Sequence, residues 1–559
     1  MAAQCANCGT PFSVDTEFRA FLARVAPVIG GKTFAIPDPT HCVNCRQQRR
    51  MALRDERFLY KRTSDFSGRA LVSSYSPDKP YKIYENDIWW SDKWDATEYG
   101  RDFDFSRPFF EQFRELSIAV PKMQYTGYNN ENCPFVNRCS NCRNCYMSFN
   151  VDHGEDCYYC EVGYKTKTCV DCGFSKEMEC CIECVDCFGC YGCIGLDSCS
   201  HLTESAYCFD CHNCQNILFC WNLRGKKFCI GNVQYTPEEY QKRRDALHLD
   251  GFNEASRNER KFQEVRRARA IHRYANLINC EGCTGDHVFQ SRECHNCYDV
   301  LRGENLRNVF AVDNNAKDSM DCAIIWDGAE LNYECMSTNR YHILFSYNVW
   351  ESSEVLYSEL CMGSGSLFGC SGLRHKKYCV LNKEYVQEEY EQLVPRIIEH
   401  MQRTGEWGEF FPVSISPLAY NESLTMEYFP MKREDVTARG WRWKDDLPGT
   451  TGKETISWAQ VPDSIAQAPA TITNEILSCS VCHGNFRIIP QELVIRKDMH
   501  VPLPRTCPDC RHKGRLARRN PRHLWQRTCM KCGKPIETTY APDRPELVYC
   551  EECYLQQVY

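Results

Sequence analysis

The sequence predicts a mainly β fold with α-helical connectors, in which a duplicated, cysteine-rich, β-solenoid-like body lies between treble-clef and zinc-ribbon fingers. Three observations support this prediction. Paired CxxC motifs lie near both ends of the 559-residue chain. Cysteines in the middle recur every three and every twelve residues, and two long stretches of the chain repeat each other.

Composition limits the class of protein. Hydrophobic residues make up 43% of the chain and charged residues 25%, so most of it should fold, and the net charge of −7 argues against coating nucleic acid along the whole length. We find no apolar run of about 18 residues and no secretion signal in "MAAQCANCGTPF", so we expect a cytoplasmic, reducing location without membrane contact. The 41 cysteines there indicate metal ligands or buried thiols rather than disulfides.

Residues 1–65 and 474–528 are predicted to be related zinc fingers. In each, a first CxxC pair is followed at a distance by a second pair and then by a basic stretch with helical propensity, and the two modules align when shifted by 465 positions. A CxxC turn lets two thiolates converge, and two such pairs complete a tetrahedral shell of four. The pattern is typical of a treble-clef or zinc-ribbon finger.

The last module, residues 529–559, is predicted to be a short zinc ribbon with two hairpin strands around the "APDRP" turn. Zinc is therefore the predicted cofactor of three terminal sites, with a structural role because four protein ligands close each site. The predicted ligands are Cys5, Cys8, Cys42, Cys45; Cys479, Cys482, Cys507, Cys510; and Cys529, Cys532, Cys550, Cys553.

The basic stretches that follow the fingers raise the question of nucleic-acid binding. Arginines with interleaved aromatic residues suit phosphate contact and base stacking, so RNA, DNA or ribosome contact is one hypothesis. A solvated helix face or an intramolecular contact is the more ordinary interpretation. The candidate residues are Arg46, Arg50, Arg54, Arg57, Arg62, Arg511, Arg515, Arg519 and Arg522.

Residues 66–132 are rich in Trp, Tyr and Phe. One interpretation is a platform on which bases or sugars stack. The interpretation that we prefer is a cap over the open first coil, because the end of a solenoid needs a cover for solubility.

Residues 133–235 form the first repeat segment. Nineteen of its twenty cysteines share one register of three, and columns of them recur every twelve residues. Polyproline II backbone or very short strands broken by corners would keep thiols at that spacing on one face. Residues 280–382 form a second copy at a shift of about 150, in which bulkier residues replace most cysteines. We therefore expect the thiols of the first copy to act chiefly as small apolar core residues.

Three further metal hypotheses concern this body. Neighbouring CxxC pairs in the first repeat segment, such as Cys157/Cys160 and Cys169/Cys172, could close a four-cysteine zinc site. The spacing of Cys280, Cys283, Cys294 and Cys297 is typical of a zinc ribbon and predicts a fourth zinc site. Runs such as Cys139–Cys142–Cys145 resemble the start of a ferredoxin motif, but the x3-Cys-Pro that should follow is missing. An iron–sulfur electron carrier stays an alternative on that basis.

The remaining segments are connectors. Thr236, Pro237 and Glu239 predict a capped helix start, and we expect the charged stretch to His272 to continue as helix within a connector of residues 236–279. Residues 383–410 predict a second helix that Pro395 interrupts or kinks. Residues 411–473 are predicted to be a linker.

Three stretches carry a resemblance to known proteins: "FFPVSISPLAYNESLTMEYFP", "FRIIPQELVIRKDMHVPLPRTCPDCR" and "APDRPELVYCEECY". Together with the order of the modules along the chain, in which the repeat segments lie between fingers, they make the chain similar to a cysteine-rich zinc-finger family of candidate-phylum bacteria. The resemblance implies zinc binding and no particular activity.

The functional prediction is a zinc-binding structural scaffold that docks a macromolecular partner. That partner is a protein, with RNA or the ribosome as the alternative. No phosphate-binding glycine loop and no arrangement of catalytic residues can be argued from spacing, so the sequence does not support an enzyme.

Overall fold

The computed structural model describes residues 3–559, which form two compact units, each assembled from separated parts of the chain. Unit 1 contains residues 3–124, 275–447 and 522–524, and unit 2 contains residues 125–274, 448–521 and 525–559. The fold is rich in sheet and also contains helices in both units. None of the helices within residues 3–559 is both long enough and apolar enough to cross a membrane.

The first repeat segment, in unit 2, is built from very short parallel strands. Nearly all of them align with the chain twelve residues further on, as Cys157 does with Cys169, whereas the last strand, Val233–Gln234, pairs antiparallel with Lys227–Ile230. Single bridges continue that offset where no regular strand is formed, from Glu179–Tyr191 to His212–Arg224. The strands are Gly127–Tyr128, Phe135–Asn137, Cys139–Ser140, Tyr146–Asp152, Glu155–Tyr158, Glu161–Tyr164, Lys167–Val170, Gly173–Lys176, Gln215–Leu218, Lys227–Ile230 and Val233–Gln234.

A left-handed residue at every third position explains how the backbone turns so often. Thr168, Asp171, Phe174 and Glu177 have φ between 52° and 56°, a region that residues other than glycine seldom adopt. The residue before each of them pairs with the next layer, and the residue after it points its side chain into the interior. The turn thus separates inward-facing residues by three positions, which produces the threefold register of the cysteines.

The second repeat segment, in unit 1, has the same parallel arrangement with less regular offsets. Cys294 aligns with Leu306 twelve residues later, but Leu306 aligns with Ser319 thirteen residues later. These insertions explain why the second copy drifts from the twelve-residue step. Its strands are Leu277–Ile278, Gly285–Phe289, Arg292–His295, Cys297–Leu301, Glu304–Arg307, Phe310–Val312, Lys317–Ile325, Tyr333–Leu344, Tyr347–Leu356, Gly365–Phe368, Lys377–Val380 and Lys383–Glu384.

The aromatic segment lies elsewhere than expected. Only the end of the predicted cap, residues 125–132, lies on the first repeat segment, where Gly127–Tyr128 pairs with Cys139–Ser140. Residues 66–124 belong to unit 1 and pack against the last layers of the second repeat segment. The ring of Phe109 lies 5.5 Å from that of Phe368, and buried Lys122 forms an ion pair with Glu359. The expectation failed because the segment precedes the first copy in sequence but is assembled with the second.

Unit 1 also contains helices, in addition to the N-terminal finger and the second repeat segment. Pro395 lies within the helix Gln387–Thr404, which continues through it, so the predicted interruption is absent. The helices are Thr16–Arg24, Val43–Met51, Asn86–Trp89, Phe109–Ala119, Gln387–Thr404, Thr425–Tyr428 and Arg433–Ala438, and the short strands are Ala3–Gln4, Pro11–Phe12, Val28–Ile29, Lys32–Thr33, Tyr60–Thr63, Ala70–Ser73, Ile83–Tyr84 and Lys122–Met123.

In unit 2, the connector is two helices rather than one. The capping box of Thr236 and Glu239 is present, but residues 246–251 are not helical and separate the two helices. The helices are Pro237–Asp245, Phe252–Arg269, Pro490–Asp498, Pro508–Leu516 and Glu551–Val558, and the remaining strands are Ile271–Arg273, Leu477–Ser478, Asn485–Phe486, Trp525–Thr528, Pro535–Thr538 and Leu547–Tyr549.

Two further expectations about the C-terminal part were wrong. No hairpin forms around the "APDRP" turn, because Pro535–Thr538 pairs with Trp525–Thr528 while Leu547–Tyr549 pairs in parallel with Ile271–Arg273. The end of the predicted linker is also packed, since Val461 and Ile465 are buried in a cluster with the core of the finger at residues 477–507.

Candidate metal centres

The first candidate centre joins a tight turn to the start of a helix. The strands Ala3–Gln4 and Pro11–Phe12 flank a turn in which the N–H of Gly9 donates to the carbonyl of Cys5 (2.9 Å). Gly9 has φ +71°, which suits glycine. Cys42 is the N-cap residue of the helix Val43–Met51, and Cys45 lies in its first turn. Two thiols from the turn therefore meet two thiols at a helix N-terminus.

The other two centres repeat this local structure. In the second, Cys479 and Cys482 lie in a turn between two short strands, and Cys507 is the N-cap residue of Pro508–Leu516. In the third, the turn between Trp525–Thr528 and Pro535–Thr538 carries the first pair, and Cys550 is the N-cap residue of Glu551–Val558. The three predicted terminal sites are therefore assembled alike.

The sulfur positions fit a tetrahedral metal ion. In each centre the four Sγ atoms lie within 4.8 Å of one another. Sulfur–sulfur distances across the three centres include Cys8–Cys42 (3.8 Å), Cys482–Cys507 (3.6 Å) and Cys532–Cys550 (3.7 Å). Four thiolates at about 2.3 Å from a zinc ion would be about 3.8 Å apart. One thiol of each centre, Cys8, Cys482 or Cys532, is exposed to solvent.

The backbone around each centre favours the thiolate form of one cysteine. Burial acts to raise the pKa of Cys5, but backbone N–H groups of Cys42, Cys8 and Asn7 outweigh it and lower the pKa to about 6. Cys479 and Cys529 occupy the same position, and their pKa values are lowered to about 6 in the same way. Thiolates are the form that binds metal, so these positions are prepared for it.

The fourth predicted zinc set is not assembled in this way. Cys280, Cys283, Cys294 and Cys297 are not among the groups in the described chain whose ligand atoms all lie within 4.8 Å of one another. They lie on successive layers of the second repeat segment instead of on two facing turns, and their S–H groups lie near backbone carbonyls such as Val288 O (3.2 Å from Cys280 Sγ). Their ribbon-like spacing is produced by the repeat.

The cysteine thiols of the first repeat segment, here called the ladder thiols, lie within hydrogen-bond distance of backbone carbonyl oxygens. Cys169 lies near the carbonyls of Lys167 (3.3 Å) and Met178 (3.8 Å), and the same two contacts, two residues back and nine residues ahead, recur along the column. In the second segment one inward column holds Cys294, Leu306 and Ser319, all buried. The same interior position accepts a thiol, an isobutyl group or a hydroxyl, which indicates a packing role.

The basic helix after the first centre is turned into the protein. Arg46 and Arg50 are 2% and 0% exposed; Arg46 Nε donates to Asp321 (3.0 Å), and Arg50 Nη1 donates to Glu334 (2.7 Å). Arg54, also buried, donates to the hydroxyl of Ser337. Arg46 and Arg50 neutralise carboxylates on the second repeat segment, whereas Arg54 pairs with Glu56. None of the three is available to phosphate.

The second centre makes the corresponding contact with the first repeat segment. Arg511 Nε lies 2.8 Å from Asp171, Arg515 Nη1 donates to it (2.7 Å), and Arg496 is a third partner (3.2 Å). Burial acts to raise the pKa of Asp171, but the three guanidinium groups lower it below its usual range. Asp171 is fully buried. The finger therefore contacts the repeat segment through buried ion pairs rather than through solvent-exposed ones.

The other predicted phosphate ligands also face inward or form pairs. Arg519 pairs with Asp186 (3.0 Å), and Arg522 pairs with Asp299 (3.2 Å). Arg62 is largely covered and pairs with Asp65, and Arg57 is half-buried. The signal that could have identified this arrangement was present: Asp171 and Asp321 are separated by the same 150 positions that relate the two repeat segments.

No protein-family model matches the chain, and neither the curated proteins nor the solved structures contain a match. The structure contains three four-cysteine groups able to hold metal ions, and each of them leads into a helix that contacts a repeat segment.

Proposed function

We propose that this chain is a zinc-binding scaffold that docks a macromolecular partner. The observation that carries the proposal is the recurrence of one four-thiol arrangement at three places, with sulfur–sulfur separations that match a tetrahedral ion. Closed four-thiolate sites stabilise folds and leave no open position for a substrate. A structural role therefore accounts for them better than catalysis does.

The proposal includes a finer description of the fold. We infer that both repeat segments are β-solenoids with about twelve residues and four short sides per coil, and that treble-clef fingers dock one on each. The support is the recurring offset of twelve and the left-handed residue at every third position. A rigid, elongated surface of this type is suited to presenting binding residues at fixed intervals.

Elemental analysis of the purified, folded chain tests the metal assignment. We expect three zinc ions per chain and a colourless sample, because zinc has no visible transition whereas iron in thiolate sites absorbs. The variant C5S should lose one zinc ion. C180S, which changes a half-exposed thiol outside every candidate centre, should retain all three.

Two results would contradict the proposal. Bound iron with visible absorbance would favour an iron–sulfur electron carrier over a zinc-binding scaffold. A zinc content well above three, lowered by substitutions in the ladder such as C169S, would mean that the ladder thiols bind metal and do not merely fill the interior.

A further inference from the structure

The helix Phe252–Arg269 in unit 2 carries exposed cations that form no ion pair. Arg260, Lys261, Arg267 and Arg269 are exposed, and none of them forms an ion pair with any residue from 3 to 559. We call these four residues the basic helical surface. Their freedom contrasts with the post-finger arginines, which are buried in ion pairs.

Other arginines of the same helix show that pairing is available there. Arg257 pairs with Glu254, and Arg266 pairs with Asp197 (2.7 Å) while its guanidinium lies over Phe209. The first of these ion pairs lies within the helix, and the second joins the helix to the first repeat segment. The basic helical surface is what remains on the outer side after the inner contacts have been made.

The helix is held firmly, so the cations occupy a prepared surface. Phe262 is buried and its ring lies 5.9 Å from that of Phe219. At the start of the helix, the N–H of Asn253 donates to Asp463, and Arg505 lies 4.0 Å from the ring centre of Phe252. Little ordering of the backbone should therefore be needed when a partner binds.

Two of the cations line a groove. Arg260 and Arg267 border a depression of about 500 Å³ together with Ser256, Glu259, Gln263 and Glu264. The two arginines are seven positions apart, which is about 10 Å along the helix axis and places them on one face. A partner with anionic groups repeated along its length could contact both at once.

The surface has the character of a phosphate-binding site rather than of a protein interface. Protein interfaces have apolar or aromatic centres and few lysines, whereas Val265, 37% exposed, is the large apolar side chain that this helix exposes. With no exposed aromatic ring on the helix, bases of a single strand would have nothing to stack on. A membrane surface would need a continuous apolar face.

We propose that the basic helical surface docks the phosphodiester backbone of a double-stranded nucleic acid. This inference rests on the proposed scaffold function and names its partner class. Contact through phosphates alone gives affinity without sequence recognition and a strong dependence on salt. Glu264, between Arg260 and Arg267, opposes binding, so E264Q should bind more tightly.

Fluorescence anisotropy with the full, zinc-loaded chain and labelled DNA and RNA duplexes of about 20 base pairs tests the proposal. We expect the triple variant R260Q/K261Q/R267Q to bind about tenfold or more weakly at about 100 mM salt, and the slope of log K against log salt to fall by about two to three. K93Q/K432Q/K453Q removes the same charge at exposed lysines elsewhere and should bind like the parent chain.

The other outcomes are decisive. Equal duplex binding by the triple variant, or no duplex binding by the parent chain at low salt, overturns the proposal, as does tighter binding of a single strand of the same length. Binding of polyglutamate that the triple variant loses, without duplex binding, would assign the surface to an acidic protein instead. Retention of three zinc ions in these samples separates failure here from failure of the scaffold function.

Discussion

At the scale of single residues, two buried aspartates determine where the fingers dock. Asp171 receives Arg511 and Arg515 in unit 2, and Asp321 receives Arg46 in unit 1. Each carboxylate is inaccessible to water and lies on the sheet at an equivalent place. An uncompensated buried charge is strongly destabilising, so a finger helix without its arginines, or a sheet without its aspartate, should not associate.

The variant D171N should destabilise unit 2 by about 3 kcal/mol, because Arg515 loses its carboxylate and Arg496 and Arg511 keep only Glu492 as a fully buried counter-charge. The contribution should be present above about pH 4 and be lost as the pH falls through the lowered pKa of Asp171. Denaturant-dependent hydrogen exchange of residues 157–230 measures it. E155Q, which removes the partly exposed partner of Arg143, should have a much smaller effect because solvent screens that pair; equal effects of the two substitutions would contradict the argument.

At the scale of secondary-structure elements, the repeat depends on residues that tolerate a left-handed backbone. Asparagine, aspartate and glycine do so at the lowest cost, and ladders such as Asn132–Asn144–Asp156 add side-chain hydrogen bonds between layers. Val162, at φ +49°, occupies the same type of position with a β-branched side chain. The element is therefore locally strained where its sequence departs from the tolerant residues.

The variant V162N should stabilise unit 2 by about 1 kcal/mol, because it relieves a β-branched residue in the left-handed region without removing a buried group. V233N provides the matched control: Val233 is also exposed and lies in a short strand, but its φ is not positive, so little change is expected. Thermal or denaturant midpoints measure both. If V162N gave no more stability than V233N, backbone strain at the third positions would not matter.

The sequence predicted what local chemistry determines and missed what long-range pairing determines. The CxxC pairs found the three metal centres, and the cysteine period found the twelve-residue offset, because inward residues recur with the backbone. Asn141, Asn144 and Asp156 already marked the left-handed corners, a signal that went unused. The strand Leu547–Tyr549 could not be placed, since its partner Ile271–Arg273 lies far away in the chain and no short motif identifies it.

At the scale of the whole molecule, the order along the chain and the assembly in space are crossed. The finger at the start of the chain docks on the second repeat segment, and the finger at residues 477–516 docks on the first. The two fingers resemble each other in sequence, and the two repeat segments resemble each other. Each unit thus contains one copy of a finger-and-repeat module, and the parts of the two modules are interleaved along the chain rather than arranged in tandem.

The crossing predicts which repeat segment each metal centre protects. In C5S/C8S, loss of metal should release the helix Val43–Met51 and lower hydrogen-exchange protection of residues 285–380. C479S/C482S should lower that of residues 157–230. Each variant serves as the control for the other, because it removes the same kind of site and leaves the other finger intact. We expect a loss of at least about tenfold in protection, or ~1.4 kcal/mol of local opening free energy, in the docked segment. Loosening of the segment nearer in sequence, or of neither, would show that the fingers do not stabilise the sheets through their buried arginines.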